Sequence, residues 1–181
     1  HGNGTEDIVR RYRDPSKLYF FSLHLFDKTQ NYEFFPGSGT EDDTVHNIVN
    51  VPIQPLWYTK KVPVAHTRNK AAAAAAKTAN ANSDEKEKSK DDKTTGRHAY
   101  RTAIAQRLIP SLRAFNPSLI LLSSGFDAAA GDVGNSRAGG GGGWEGGMDL
   151  RAEDFQWVTQ EILKVADICC SGRVVSVLEG G

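Results

Sequence analysis

One long segment in the middle of the chain limits where a folded core can be built. Residues 65–99 contain no Val, Ile, Leu, Met, Phe, Tyr, Trp or Cys and consist mainly of an alanine run and a mixed-charge stretch. Such a segment buries too little apolar area to offset its ordering entropy, so we interpret it as a low-complexity, mobile or partly helical insertion. The flanks then supply about 145 residues, a normal size for one domain.

The flanks alternate between strand-like and helix-like patterns. Continuous apolar runs predict strands at residues 18–26, 47–53, 118–123 and 173–178. Amphipathic spacing predicts helices at residues 5–12, 100–115 and 151–168, the first capped by Thr5 and the second kinked at Pro110. Strands of this apolar type alternating with helices indicate an α/β fold, a parallel sheet between helix layers that cover both of its faces.

Composition excludes several function classes. The chain has 22 basic and 22 acidic side chains, so no global charge attracts it to nucleic acid or to an acidic membrane surface. No run approaches the ~18 apolar residues of a membrane helix, and a secretory signal pattern is absent. We therefore expect an intracellular protein with no direct nucleic-acid or membrane partner. Cys169 and Cys170 adjoin in an apolar helical stretch and are expected to be packing residues.

The strand ends are where a site is expected, because ligands of open parallel sheets bind beyond the carboxyl ends of the strands. Asp127 follows the third predicted strand, and a carboxylate there can coordinate a cation or orient a base. An isolated Asp after a strand is also a common turn former or helix cap. His1 and His24 are the histidines near this edge, and each is also explained as a structural histidine.

A glycine-rich stretch at residues 139–147 has the composition of a phosphate-binding loop. No Gly-Lys-Ser/Thr follows it, and the strand, tight turn and helix of a dinucleotide-binding motif do not fit around it. We therefore interpret it as a flexible loop.

Six short motifs occur in an order that resembles the zinc-dependent histone deacetylase family. They are His1-Gly2-Asn3-Gly4-Thr5, Ser22-Leu23-His24, Phe34-Phe35-Pro36-Gly37-Ser38-Gly39, Ser124-Gly125-Phe126-Asp127-Ala128, Gly131-Asp132 and Leu178-Glu179-Gly180-Gly181. The Asn of the first motif and the Glu of the last resemble the class II branch and the related acetylpolyamine amidohydrolases. The resemblance covers the chain apart from the insertion and the glycine loop.

The resemblance implies an arginase/deacetylase fold and hydrolysis of the acetyl amide of lysine by a metal-activated water. Asp127 matches the metal-binding aspartate of the family, which is one of the three zinc ligands found there. Phe35 and Gly180 match residues that line the substrate tunnel. The Ser22 hydroxyl and the Leu23 carbonyl match part of a structural potassium site beside the metal.

The same resemblance implies that this chain holds only part of the domain, its central and C-terminal portion. In the family, an Asp-x-Asp-x-His segment with the other two ligands precedes His-Gly-Asn-Gly, and the oxyanion-stabilising tyrosine, or a histidine, follows Gly-Gly. The catalytic His-His pair and an acidic rim residue also lie upstream. We therefore expect no catalytic residue within this chain, expect the missing ones just outside both of its ends, and expect the chain alone to be inactive.

Two departures from the family bear on substrate detail. Residues 132–147 replace a short Asp-Pro-Leu-Gly-Gly-like turn, so that Glu145 can place a charge on the rim. Residues 65–99 lie between a predicted strand and a helix, away from the site edge, and are expected to be a solvated spacer or a tether for a partner.

The implied partners are acetylated histone tails or other acetyl-lysine proteins, with corepressor subunits, in the nucleus, the cytoplasm or both. Such an enzyme takes part in chromatin regulation. Two alternatives remain open: a catalytically silent, deacetylase-like binding or scaffold module, and an acetylpolyamine amidohydrolase.

Overall fold

Two pairs of parallel strands and the helices beside them make up the fold. The structure is a computed structural model that describes residues 4–27, 39–58, 96–138 and 144–180. The elements in chain order are α1 (Thr5–Arg11), β1 (Phe20–Leu25), β2 (Ile48–Ile53), α2 (Gly96–Ala103), a π-helical turn (Ile104–Leu108), α3 (Ile109–Phe115), β3 (Ile120–Ser124), β4 (Ser136–Ala138), β5 (Trp144–Gly146), α4 (Ala152–Cys170) and β6 (Val174–Leu178). All four predicted strands and all three predicted helices are present, with ends shifted by a few residues.

The starts of two helices differ from the prediction. Gly4, with φ 77°, is the residue before the first turn of α1, and Thr5 is already helical, so the expected threonine cap is wrong. Glycine adopts this left-handed conformation without the steric cost that a Cβ brings. Helix α2 begins at Gly96, and the buried Ala99 packs in the core. The end of segment 65–99 is therefore helical, while residues 65–95 lie outside the described part of the chain.

The second predicted helix is continuous but irregular. The π-helical turn at Ile104–Leu108 joins α2 to α3, and Pro110 lies in the first turn of α3. Proline has no N–H to donate and its ring crowds the carbonyl one turn earlier. The expected distortion therefore falls in the turn that precedes Pro110.

The two strand pairs are both parallel, as the sequence predicts. Strand β1 pairs with β2, from Phe20 opposite Ile48 to Leu25 opposite Ile53. Strand β3 pairs with β6, from Ile120 opposite Val174 to Ser124 opposite Leu178. Helix α4 makes the crossover that parallel pairing requires between β3 and β6. The short pair β4 and β5 is antiparallel and forms a hairpin that the sequence analysis did not predict.

The core lies between the strand pairs and helices α2, α3 and α4. Val165 and Ala166 of α4 are completely buried, and Cys170 at the end of the same helix is 1% exposed. Both cysteines are free, and Cys169 packs against the core from a partly buried position, so their expected packing role is confirmed. The remaining buried core side chains come from β1, β2, β3, the helical segments between residues 56 and 115, the segment before α4, and α4 itself: Leu25, Val51, Ile53, Trp57, Ala99, Tyr100, Ala103, Ile104, Leu108, Leu112, Ile120, Met148, Leu150 and Ile162.

One face of the β3–β6 pair is open to solvent. Ile120 and Val174 point toward the helices, while Leu121 and Val177 on the opposite face are 69% and 53% exposed. Successive side chains of a strand alternate between its two faces. Within the described residues, no helix covers this second face of the β3–β6 pair. In that part of the chain, no helix is long and apolar enough to cross a membrane.

A buried carboxylate ties α2 to the start of α4. Asp154 is completely buried and accepts hydrogen bonds from Arg97 Nε at 2.5 Å, Arg101 Nε at 2.7 Å and the Arg151 backbone N–H at 2.9 Å. Burial acts to raise the pKa of Asp154, but these donors outweigh it and lower the pKa. Asp154 therefore stays ionised, stabilises the first turn of α4 and joins the two helices.

Replacing this carboxylate should destabilise the fold. For Asp154→Ala we expect a loss of about 2 to 4 kcal/mol in the free energy of unfolding, because charge-assisted hydrogen bonds and a helix-start contact are lost together. Urea denaturation followed by circular dichroism measures it. The exposed neighbour gives the matched control: Glu153→Ala should change the same free energy by less than about 0.5 kcal/mol. Equal stability of the two variants would contradict this role.

A second ion-pair cluster joins α1 to the turn before β2. Asp43 accepts from Arg10 Nε at 3.1 Å and pairs with His46 Nδ1 at 2.8 Å. The hydrogen bonds from His46 and then Arg10 lower the pKa of Asp43 to about 2. Because the pKa is lower in the folded state, the ionised Asp43 stabilises the fold above its ordinary pKa near 3.8, and protonation removes this contribution as the pH falls toward 2.

The Asp43 contribution should therefore be visible as a pH dependence. We expect Asp43→Asn to be less stable than the wild type at pH 5, with the difference shrinking as the pH falls to 2.5. Urea denaturation at a series of pH values measures it. Val45→Ala, at an exposed position in the same turn, should keep the pH profile of the wild type. A constant difference between Asp43→Asn and the wild type over this range would refute the assignment.

Candidate functional site

A cavity of about 820 Å³ lies between the two strand pairs. Every residue from 21 to 25 on β1 and from 122 to 128 on and after β3 lines it. Since side chains alternate along a strand, consecutive lining residues show that the cavity runs along the strand edges rather than one face. Its inner wall is apolar and comes from the core helices and the loop before α4: Tyr100, Ile104, Met148, Leu150 and Ile162.

Asp127 lies at the carboxyl end of β3, on the cavity wall, where the sequence predicts a functional carboxylate. Its side chain is exposed and lies between two glycines. A Cβ added to Gly125 would lie 3.3 Å from Asp127 Oδ1, and one added to Gly134 would lie 2.9 Å from Asp127 Cβ. The two glycines therefore leave the space that the Asp127 carboxylate occupies. A solvent-accessible carboxylate in this position can bind a hard or borderline cation.

Ser22 and Leu23 lie on β1, which forms the opposite wall of the cavity. The Ser22 hydroxyl forms a 3.1 Å hydrogen bond with Nδ1 of His24. His24 is 5% exposed, and burial lowers its pKa to about 4 although a hydrogen bond with Gly39 acts to raise it. His24 is therefore neutral near pH 7 and orients the Ser22 hydroxyl.

Gly180 follows β6 and lies beside the Asp127 loop. The Phe126 N–H, one residue before Asp127, points to the Gly180 carbonyl at 3.5 Å, and Gly180 has φ 78°. Apart from its chain neighbours, no described residue has an atom within 4 Å of a Cβ added at Gly180, so the described part of the chain leaves the space beside it open. The structure thus brings Gly180 and Asp127 together at one sheet edge. Phe35, His1 and Gly181 lie outside the described residues.

The described residues bring no complete group of metal ligands to this cavity, although His24, Asp127 and Glu179 line it. They contain no group of three or more His, Cys, Asp or Glu side chains that could hold a metal ion. A zinc site needs at least three protein ligands. Asp127 fits the role of one oxygen ligand, since it is accessible and acidic, and the others would have to come from outside the described residues.

The loop from Asp127 to Leu150 is closed by hydrogen bonds that the sequence analysis did not anticipate. The Leu150 backbone donates to Ala128 at 3.0 Å and accepts from Ala130 at 2.8 Å. Further along, the side chain of Asn135 binds residues 148 and 149. The expected flexible loop at 139–147 is partly wrong, because residues 144–146 form β5, whereas residues 139–143 lie outside the described part.

A buried ion pair joins this loop to the end of β1. The Asp27 side chain is completely buried and accepts from Trp57 Nε1 at 2.7 Å and from Arg137 Nη1 at 3.4 Å. The Arg137 guanidinium also stacks over the Trp57 ring, 4.7 Å from its centroid, and donates to Glu145 at 3.1 Å. Glu145, expected as a rim charge, is therefore paired with Arg137.

Part of this hydrogen-bond network has a local signal in the sequence. Asp132, Gly134 and Asn135 are turn-forming residues, so a tight turn in this loop could have been predicted. Arg137 and Asp27 are 110 residues apart, and no local pattern connects them. Their pairing depends on the return of the chain through the hairpin β4–β5.

Comparison with known proteins agrees with the motifs. The family model described as the histone deacetylase domain matches residues 1–181. Over 182 residues the chain is 30% identical to histone deacetylase 7 of Homo sapiens, and over 181 residues it is 29% identical to histone deacetylase 9 of Homo sapiens. It is 26% identical over 189 residues to type-2 histone deacetylase 2 of Dictyostelium discoideum.

Each of these matches covers 100% of this chain. The matched part is only 14% of histone deacetylase 7, 13% of histone deacetylase 9 and 8% of the Dictyostelium discoideum protein. Among solved structures, the crystal structure of the HDA15 HD domain matches with a TM-score of 0.58 and 23% identity, covering 100% of this chain and 36% of that chain. This likeness shows the fold. The chain therefore has the parallel α/β fold of the arginase/deacetylase type, of which it spans a part.

The Asp27–Arg137 pair can be tested by mutation. For Arg137→Ala we expect a loss of about 1 to 3 kcal/mol in the free energy of unfolding, because a buried carboxylate loses a charged donor. Tryptophan fluorescence should also change as Trp57 loses the stacked guanidinium. Urea denaturation gives the first quantity and emission spectra give the second.

The exposed Arg113 provides the matched control. Arg113→Ala should leave both the free energy of unfolding and the emission spectrum close to wild type. For Arg137→Lys, we expect a free energy of unfolding between those of the wild type and Arg137→Ala, because lysine keeps the charge but loses the planar stacking on Trp57. If Arg137→Ala behaved like Arg113→Ala, the pair would have no structural role.

Proposed function

Because the chain belongs to the histone deacetylase family, we propose that the full-length protein hydrolyses the acetyl amide of acetyl-lysine in histones or other proteins, using zinc held in part by Asp127. The observation that carries the proposal is the position of Asp127, an exposed carboxylate at the carboxyl end of β3 on the wall of the cavity. Ligands of parallel sheets bind at this edge. A bound zinc ion would supply a Lewis acid that activates water and polarises the acetyl carbonyl.

We further propose that this chain is one part of a deacetylase domain and that a further extended segment lies in the cavity. Among the described residues, β1 and β3 each have a strand partner on one edge only, and their other edges line the cavity. Unpaired strand edges present backbone N–H and C=O groups that favour another strand. A segment with the Asp-x-Asp-x-His pattern of the family, placed here, would bring its two ligands toward Asp127.

The remaining site residues receive supporting roles in this proposal. Phe35 and Gly180 would form part of the apolar tunnel for the four methylenes of the acetyl-lysine stem, and the open space beside Gly180 is compatible with close approach of that stem. The Ser22 hydroxyl and the Leu23 carbonyl would bind potassium on the opposite wall. Their position on β1 is compatible with oxygen ligands that face the same cavity as Asp127.

The relatives and the motifs together indicate a class II-like enzyme. Its proposed partners are acetylated histone tails or other acetyl-lysine proteins, with corepressor subunits. Its proposed location is intracellular, in the nucleus, the cytoplasm or both, and its process is chromatin regulation. Of the predicted insertion at residues 65–99, the part from 65 to 95 is proposed as an insertion within the domain, because residues 96–99 belong to helix α2.

Replacing Asp127 tests the proposed metal ligand. In the full-length protein, Asp127→Ala should lower hydrolysis of an acetyl-lysine histone peptide by at least about 100-fold, because a charged metal ligand is lost. A fluorogenic peptide assay measures the rate, and elemental analysis measures bound zinc, which should fall with it. Val133→Ala, in the same loop and 79% exposed, is the control and should keep both. Full activity of Asp127→Ala would exclude Asp127 as a ligand.

The isolated 181-residue chain should show no measurable hydrolysis of the same peptide with added zinc. One ligand out of three binds zinc too weakly to hold it in place. The full-length protein assayed under identical conditions is the positive control. Turnover by the isolated chain that disappears in Asp127→Ala would overturn the proposal that further ligands are required.

A further inference from the structure

We propose that Gly134 and Asn135 are positioning residues for Asp127 and fix the direction in which its carboxylate enters the cavity. This inference rests on the proposed metal-binding role of Asp127. It assigns a role to residues that no motif of the sequence analysis singled out. The contacts that carry it run from Asp127 to Gly134, from Gly134 to its neighbour Asn135, and from Asn135 to the residues before α4.

The first contact is steric. A Cβ added at Gly134 would lie 2.9 Å from Asp127 Cβ and 3.3 Å from Asp127 Oδ2. Real Cβ atoms do not approach this closely, so Asp127 keeps its orientation only while residue 134 has no side chain. Gly134 does not have a positive φ. The need for glycine at position 134 therefore comes from the contact with Asp127 and not from the backbone conformation.

The second set of contacts fixes Asn135, the chain neighbour of Gly134. Asn135 is 2% exposed, and its side chain makes three hydrogen bonds: Nδ2 donates to Asp149 Oδ1 at 2.6 Å, and Oδ1 accepts from the backbone N–H groups of Met148 and Asp149 at 2.7 and 3.1 Å. We call this group, Asn135 with Met148 and Asp149, the Asn135 clasp. One amide orientation satisfies all three bonds, because the groups it meets are one acceptor and two donors.

The Asn135 clasp has little room to shift. The Gly147 N–H donates to the Asn135 carbonyl at 2.5 Å, and a Cβ at Gly147 would lie 2.9 Å from that oxygen. A Cβ at Gly146 would overlap Asp149 Oδ1 at 2.0 Å. Gly146 and Gly147, at the end of the hairpin β4–β5, therefore allow the hairpin to lie close to Asn135 and Asp149. The Asn135 clasp in turn holds Gly134 at a fixed position beside Asp127.

The backbone after Asp127 and the side chain of Asp127 are therefore held by two different sets of contacts. The backbone of Leu150 pairs with Ala128 and Ala130 immediately after Asp127, and the clasp holds Gly134 against the Asp127 side chain. Metal ligands depend on outer partners for their orientation, and loss of such a partner weakens metal affinity 10- to 100-fold. We assign Gly134 and Asn135 this outer role.

The test uses the full-length protein with three variants and two readouts. Gly134→Ala and Asn135→Asp are the test variants, and Val133→Ala is the matched control. Asn135→Asp keeps the shape but replaces the donor that meets Asp149 Oδ1 with an acceptor. The readouts are zinc affinity, measured by competition with a chromophoric chelator, and the visible spectrum of the Co²⁺-substituted protein, which reports ligand geometry and which a merely structural role would not alter.

We expect Gly134→Ala and Asn135→Asp each to weaken zinc affinity about 10- to 100-fold and to change the Co²⁺ spectrum, while Val133→Ala matches the wild type. Wild-type affinity and spectrum in both test variants would overturn the positioning role and leave the proposed function standing. A wild-type protein that binds neither metal would overturn the proposed function itself. If Gly134→Ala does not fold, Asn135→Asp decides the question with the same two readouts.

Discussion

Parallel pairing of β3 with β6 is the constraint on which the rest of the structure depends. Two parallel neighbours cannot be joined by a tight turn, so the chain must cross over through α4 before β6 can begin. The crossover requires α4 to bury an apolar face, which Val165 and Ala166 supply. It also places the ends of β3 and β6 side by side, so that Asp127 and Gly180, more than fifty residues apart in the chain, meet at one edge.

The strands and helices that show a clear hydrophobic pattern could be predicted from the sequence. The elements that depend on contacts with residues far away in the chain could not. Apolar runs identified the four long strands because hydrophobicity is a local property of the sequence, as at residues 18–26 or 173–178. The start of α2 at Gly96 was missed, since its first residues carry no large apolar side chain. The hairpin β4–β5 was missed because its strands are three residues long and flank a glycine stretch that is typical of a loop.

The candidate site likewise contains one feature that the sequence predicts and others that it does not. Asp127 could be predicted because the strand-end rule and the family motif both place a carboxylate there. The network around it could not, since the Asn135 clasp depends on how closely Gly146 and Gly147 approach, and the Asp27–Arg137 pair joins residues 110 positions apart. A buried carboxylate such as Asp27 is stable only with its donors in place, and the sequence does not reveal which donors the fold brings to it.

The proposed zinc site lies in the cavity between β1 and β3, with Asp127 as one ligand. The most direct measurement is a crystal structure of the full-length protein grown with zinc, with diffraction data collected on both sides of the zinc absorption edge. If this proposal is right, the data show an anomalous peak about 2.0 to 2.2 Å from an oxygen of the Asp127 carboxylate. A peak at another site, or no peak in this cavity while the protein hydrolyses acetyl-lysine, would contradict it.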